Sequence, residues 1–322
     1  MNKPLRILTT TITLACLASA STVRAEFPDK PIRAIVPFAA GSSNDTLARL
    51  VSPPMVKTLG QQIIILNMPG ADGRIGLEAL AKAAPDGYTI LFSGGAIALV
   101  PALRRNVPYD PVKDIQPVAP LGGSPYVIGV SNALPARNLK EFVEYAKKNP
   151  GKLNAAAAGN SSFMAAILLQ TLIDTKVEII SYKGTGPAAL SIAAGETDFG
   201  TMEASSYASL IPSGKIRGLA VAATKRLSGL PDVPTTREAG LPEYVIGTNF
   251  GVYTKGGTPL PIVRTLNAAV IKSLATPEVS RSLRQNGMEP GDANVEEFTE
   301  DYHKEMARWK EVVIRAKLPL QD

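Results

Sequence analysis

The stretch IRAIVPFAAGSSNDTLARLV, residues 32–51, runs from aliphatic residues through Gly41, Ser42 and Ser43 into a helical pattern. A short apolar run bounded by a turn describes a buried strand, and Asn44 or Asp45 behind serines is a helix start. The same alternation continues along the chain. Strand candidates are 32–38, 62–66, 88–93, 126–130, 177–182, 218–222 and 250–254, each bounded by Gly, Pro or polar turns. Helices are expected over 139–149, 163–171 and 187–194, then over 261–275, 278–286 and 295–316. Strands and helices in alternation predict an α/β sheet. Pro53 and Pro54 fall inside the helix after the first loop, so that helix is expected to stop near Ser52.

The chain has 322 residues, 45% of them hydrophobic and 19% charged. That is enough apolar material for one large or two medium domains, and it excludes fold-scale disorder. Residues 1–25 have the pattern of a secretory signal: Lys3 and Arg6, an apolar or neutral stretch from Ile7 to Ala20, then Val23, Arg24 and Ala25 as a cleavage site. The mature chain is expected to begin at Glu26 as an exported product. The stretch is short and carries Thr and Ser, which weighs against a retained membrane anchor. The one cysteine, Cys16, lies in the signal, so the mature chain is left without a disulfide or thiolate nucleophile. Lipid attachment at Cys16 is the alternative, against which Thr13 puts a polar residue where a lipoprotein signal carries leucine. Without Lys3, Arg6 and Arg24, 31 of the 34 basic residues face 28 acidic ones, scattered rather than striped. Nucleic-acid binding wants a concentrated basic patch and is not expected.

Two extended crossings lack a helix before them, at Gly122, Gly123, Ser124 and Pro125 and again at 247–252. They predict two lobes joined by a pair of strands, the first formed by residues 26–123 and 247–322 and the second inserted as 124–246.

A strand that ends in Gly41, Ser42 and Ser43 and opens a helix exposes backbone amides to an anion. The device recurs at Ser93, Gly94 and Gly95 after YTILF, and at Gly159, Asn160, Ser161 and Ser162 after LNAAAA. Ligands of open α/β sheets bind at such strand ends. The loops are small and neutral, which suits a carboxylate better than a nucleotide, and no GK[ST] triplet occurs. Residues 184–189, GTGPAA, fit a dinucleotide pattern with Glu203 about twenty residues on. Lys183 precedes its first glycine, however, and Pro187 removes an amide from the helix start, so a helix at the rim of a cleft fits better.

Catalytic arrangements are poor. His303, the only histidine, sits among Asp301, Lys304 and Glu305 and reads as a solvated surface residue. No metal site can be assembled from His and Cys, no cofactor is indicated, and neither a GxSxG elbow nor an SxxK pair is present. Asp45, Asp72, Asp198 and Glu203 default to structural or capping roles.

The segments KPIRAIVPFAAGSSND, NMPGADGRIG, APDGYT, YDPVKD, YKGTGPA, GETDF, GKIRGLAV and LPDVPTTREAGLP stand in the order seen in the Bug family, the periplasmic solute-binding proteins of tripartite tricarboxylate transporters. The chain closely resembles that family over residues 26–322. The resemblance implies a type II periplasmic-binding-protein-like fold whose lobes close on a small organic acid, without turnover, as a periplasmic monomer that delivers its ligand to a membrane permease. A ligand-sensing accessory role, or an exported hydrolase or lyase on the same scaffold, is the rival. The implied ligand loops fall on Phe38 with Gly41, Ser42, Ser43, Asn44 and Asp45, and on Ser93, Gly94, Gly95 and Ala96. In the second lobe they fall on Asn160, Ser161, Ser162 and Phe163, on Lys183, Gly184 and Thr185, and on Met202 with Glu203. Ser42 replaces a customary second glycine, Phe163 a common histidine, and Met202 and Glu203 an Asp and Asn. Phe163 and Met202 are expected to make the far end of the pocket apolar. Glu203, if it faces the cleft rather than solvent, repels a second carboxylate, so the expected ligand has one anchored carboxylate and an apolar or amine-bearing far end.

Overall fold

The computed structural model describes residues 27–285 and 287–320; the expected signal segment, 1–25, lies outside them. The described residues form ten strands: β1 Ile32–Val36, β2 Ile63–Asn67, β3 Thr89–Ser93, β4 Ile115–Val130, β5 Asn154–Ala158, β6 Glu178–Tyr182, β7 Phe199–Glu203, β8 Arg217–Val221, β9 Gly247–Lys255 and β10 Glu289–Pro290. The helices are α1 Ser43–Leu59, α2 Arg74–Ala81, α3 Ala96–Leu103, α4 Leu139–Lys148, α5 Gly159–Ile173, α6 Thr185–Ala194, α7 Ala204–Tyr207, α8 Leu260–Leu274, α9 Pro277–Gln285 and α10 Val295–Arg315.

The strands hydrogen-bond in the order β2-β1-β3-β9-β4-β7-β5-β6, with β8 and β10 also on β4. Pairing is parallel within β2-β1-β3 and within β7-β5-β6, and antiparallel wherever β4 or β9 takes part. Two parallel triplets are therefore held together by two long antiparallel strands, the two-lobed α/β arrangement the sequence predicts. β4 is the structural pivot. It pairs with β9 as far as Pro125, opposite Gly247, and from Tyr126 onward with β7, and with β8 from Val127. Sequence periodicity assigns only 126–130 of this strand, because Pro117, Pro120 and Pro125 interrupt its first part; bulges between 117 and 119 and between 120 and 122 absorb prolines that a regular ladder would reject.

The expected break of the first helix at Ser52 does not occur: α1 runs through Pro53 and Pro54 to Leu59 and ends at Gly60 in the left-handed conformation. The two prolines remove ladder donors at a cost of roughly 3 kcal/mol or more. Leu47, Val51 and Met55 repay it, since each is at most 2% exposed and packs on β1, β3 and α8. A buried side chain of that size contributes about 1.5–3 kcal/mol, so three of them outweigh the broken turn. Likewise α5 begins at Gly159, four residues before the expected start, which carries the Asn160–Ser162 loop into its first turn.

Candidate functional site

β1 delivers Phe38 and the loop before α1. Ser42 caps the helix in an extended conformation, its Oγ accepting the Asp45 amide at 3.3 Å. Asp45, 3% exposed, folds back on the loop. Its Oδ2 accepts the Gly41 amide at 2.9 Å and Arg49 Nε at 3.0 Å, and its Oδ1 accepts Asn67 Nδ2 at 3.0 Å. Asn67 Nδ2 also donates to the Phe38 carbonyl at 3.1 Å, tying β2 to the loop. The Arg49 hydrogen bond, and after it the Gly41 amide, hold the Asp45 carboxyl down at about 2. Asp45 is thus the loop's brace. It occupies an amide that would otherwise face an anion, and leaves the Ser43 and Asn44 amides without a partner among the described residues. Gly41 has φ +82, which favours glycine. Replacing Ser42 by alanine removes the cap and is expected to lower stability by about 1 kcal/mol in urea denaturation.

Between the lobes lies a cavity of about 240 Å³. Phe38, Leu99 and Val100 line it from the first lobe; Ala158, Asn160, Ser161, Ser162, Thr185 and Met202 line it from the second, with Tyr126 and Glu203 between. The first turns of α5 and α6 and the buried side of α3 meet here. Gly95, just before α3, lies so close to α5 that a Cβ on it would stand 3.9 Å from Ser161 Oγ. A Cβ on Gly94 would meet the Phe250 ring at 2.9 Å, so the close approach of this loop to β9 needs glycine.

A polar chain crosses the cavity floor. Thr248 Oγ1 donates to Glu203 Oε1 at 2.7 Å, and Tyr126 Oη stands 3.2 Å from Thr248 Oγ1. Because the threonine's proton goes to the carboxylate, the tyrosine donates to the threonine, while Ser161 hydrogen-bonds the tyrosine. Burial raises the Glu203 carboxyl above the usual range, with the Thr248 bond opposing that shift. A second cavity, of about 170 Å³, adjoins the first and is lined by Gly41, Ser43, Ser124, Phe250 and Glu203.

Phe38, Asn160, Ser161, Ser162, Thr185, Met202 and Glu203 therefore surround one cavity, and Gly41 and Ser43 share the second with Glu203. Ser42 and Asp45 act behind the loop. Asn44 is buried, with its Oδ1 unpartnered. Ser93 is buried and its hydroxyl turns back to the Gly94 carbonyl, while Ala96 opens α3. Phe163, 37% exposed, and Lys183, exposed, line neither cavity, and Gly184 serves as the turn into α6. The apolar lining comes from Met202 with Phe38, Leu99, Val100 and Ala158, and not from Phe163.

The sequence reading missed Tyr126, Thr248, Ser124 and Asn67. A usable signal existed for the first three, each within one residue of the crossing at Pro125 and Gly247, where a side chain must face the space between lobes. Asn67 opens the NMPG motif. His303 is exposed, and among the described residues no group of three or more His, Cys, Asp or Glu is placed to hold a metal. No helix among them is long and apolar enough to cross a membrane.

A family profile described as the tripartite tricarboxylate transporter family receptor matches residues 47–318. Protein BugT of Bordetella pertussis is 32% identical over 307 residues, covering 94% of this chain and 94% of that protein. MatC of Rhodopseudomonas palustris, solved with bound malate, is 35% identical and superposes with a TM-score of 0.74 over 89% of this chain and 100% of that one. A second R. palustris protein, solved with adipate, is 30% identical, with a TM-score of 0.76 over 91% of this chain and 99% of that one.

Proposed function

The chain belongs to the tripartite tricarboxylate transporter receptor family, a family of solute-binding receptors rather than enzymes, and from that premise we propose that it captures a small carboxylate between its lobes in the periplasm and hands it to the membrane subunits of such a transporter. The observation that carries this reading is the cavity itself: uncharged donors at helix starts surround it, and Lys and Arg are absent from its described lining. Helix N-termini stabilise an anion by up to about 2 kcal/mol each when partly buried. A micromolar ligand needs about 8 kcal/mol. Several such ends plus apolar contact must act together, and those contributed by the second lobe exist only when the cleft is shut, which makes closure the consequence of binding.

We place the lobes at residues 26–123 with 247–322 and at 124–246, a division supported by the change of β4 partners after Pro125. The ligand contacts we assign to Phe38, Ser43, Asn160, Ser161, Ser162, Thr185, Met202 and Glu203, with Gly41, Ser42, Asp45, Ser93, Gly94, Gly95 and Ala96 shaping the loops that present them. The relatives solved with malate and adipate support a carboxylate.

The test is a thermal-shift screen of the mature chain against mono- and dicarboxylates, followed by calorimetry of the hits and growth of a deletion strain on them. Saturable binding with loss of growth supports capture and delivery. A screen without a single stabilising acid overturns the reading. For an acid that binds, Thr185→Val is expected to weaken affinity about fivefold, the loss of one hydrogen bond of roughly 1 kcal/mol, without abolishing it.

A further inference from the structure

Among the described residues, the two cavities beside the first ligand loop have a single charged side chain, and it is the same one: Glu203 lines both. Its Oε1 accepts the Thr248 proton, and no second hydrogen bond or ion pair to its carboxylate is present among the described residues. A carboxylate offers about four acceptor positions. Tyr126 cannot fill another, because its proton is committed to Thr248. On the other side, Ser124 Oγ is buried, 2% exposed, unpartnered, and lines the smaller cavity together with Glu203. The protein's own side chains therefore give this carboxylate one donor, Thr248, and no counter-charge among the described residues, and turn it to both cavities, with neutral donors arranged at the helix starts around it.

Resting on the carboxylate reading above, we propose that the ligand carries an ammonium group as well as its carboxylate, that Glu203 binds the ammonium, and that the protein's ligand class is the small amino acid-like zwitterion. A zwitterion complements both halves of the site: its carboxylate meets amides and hydroxyls at the helix starts, and its ammonium supplies the cation that the protein withholds. A dicarboxylate would set a second anion against Glu203, and burial magnifies that repulsion. A purely apolar end leaves the carboxylate buried and unpaired, which favours its protonation; burial already pushes the Glu203 carboxyl up, and a neighbouring ammonium reverses that shift. An inorganic cation fits less well, because it wants about six oxygen ligands and no cluster of acidic side chains supplies them among the described residues. The small cavity volumes favour a compact ligand.

The experiment is calorimetry on the mature protein and on Glu203→Gln with matched triplets: butanoate, 4-aminobutanoate and succinate, then hexanoate, 6-aminohexanoate and adipate, with L-alanine against propanoate for an α-ammonium. The expected result is that in at least one set the amino acid binds the unmodified protein about tenfold or more tighter than its amine-free partner, a difference of roughly 1.4 kcal/mol, and that Glu203→Gln removes this preference while still binding the amine-free acid. A cooperative thermal transition of Glu203→Gln, followed by circular dichroism, shows independently that the variant is folded. Tighter binding of the amine-free or dicarboxylic member throughout overturns the inference while leaving the carboxylate reading intact. An amine preference that survives in Glu203→Gln overturns the assignment to Glu203, and equal binding in both proteins with no preference identifies the glutamate as a neutral donor and overturns it too. If none of these acids binds while the broad thermal-shift screen finds amine-free acids alone, the inference fails and the carboxylate reading stands; if that screen is empty too, both fail.

Discussion

Replacing Asp45 by alanine is expected to cost about 2–4 kcal/mol of stability and to weaken ligand binding more than tenfold, although Asp45 lines neither cavity. The carboxylate gathers three donors from three parts of the first lobe: the Gly41 amide, Arg49 and Asn67. Hydrogen bonds to a charged group are worth roughly 1.5–3 kcal/mol each, and a buried donor left unpaired costs more than a pair replaced by apolar groups. Arg49 recovers most of its share in water, since its side chain is 55% exposed. Gly41 and Asn67 do not, so the loss falls on the loop rather than on the surface. The effect on binding follows because Asn67 also holds the Phe38 carbonyl, and Phe38 is the first lobe's ring in the cavity. Asp45→Asn keeps a carbonyl oxygen for Gly41 but loses the charge, and an intermediate effect is expected.

The same contact sets a pH signature. The Asp45 carboxyl is held down at about 2 in the folded chain, against an ordinary aspartate value of about 3.9. A depressed folded value means that the contribution is fully present above the ordinary value and is lost as pH falls through about 2. Urea midpoints measured between neutral pH and pH 2 should therefore converge for the unmodified protein and Asp45→Ala. Parallel lines down to the lowest pH would show that the carboxylate does not brace the loop.

How much of this could be read in the sequence differs between the two ends of each strand. The apolar runs at 32–36 and 89–93 announce themselves, because a strand buried between helices must be apolar and a turn of small residues must follow it; β6 at 178–182 is an edge strand, largely exposed, and only its two isoleucines mark it. The loops after the two buried runs were legible for the same reason. β4 was half hidden, since its prolines argue against a strand and its bulges are a tertiary solution that propensity cannot anticipate. The first helix was shortened wrongly at Ser52, because a proline pair is locally decisive, whereas the packing of Leu47, Val51 and Met55 is visible only in three dimensions. Within the site, the sequence offered Asn44 or Asp45 as the helix cap, whereas Ser42 takes that role and its hydroxyl accepts the Asp45 amide. Geometry makes Gly41 the turn, Ser43 a cavity-lining residue, Asn44 a buried one and Asp45 the brace, a division that depends on the Asn67 and Arg49 side chains reaching the loop. Phe163 follows Ser162 directly in sequence, yet helical rotation turns it outward: consecutive helix positions differ by about 100°, so adjacent residues do not share a face.

Gly247→Val is expected to be the most damaging single change at the junction of the lobes, with a loss of about 3 kcal/mol and a melting temperature lower by roughly 6–10 °C. The backbone of Gly247 is not in the left-handed region, so conformational strain has no part in this; the space is simply occupied. A Cβ at this position would lie 2.6 Å from the Ser124 carbonyl oxygen and 2.9 Å from Pro125 Cα. Both obstacles are backbone atoms of the opposing strand, and neither can rotate away as a side chain could. Gly229→Ala is the control, since a Cβ there meets no atom within 4 Å, and its stability should stay within about 0.5 kcal/mol. The functional consequence is separable from the thermal one. Thr248 is the next residue, and pushing β9 away from β4 draws its hydroxyl from Glu203 and from Tyr126. A valine variant that still folds below its lowered melting temperature should thus bind ligand at least tenfold more weakly, whereas Gly229→Ala should bind as the unmodified protein does. Weakened stability with unaltered affinity would mean that the crossing strands carry the lobes but do not set the register of the side chains between them. The measured pair of numbers, melting temperature and dissociation constant on the same two variants, separates a hinge that only connects from one that also positions the cavity floor.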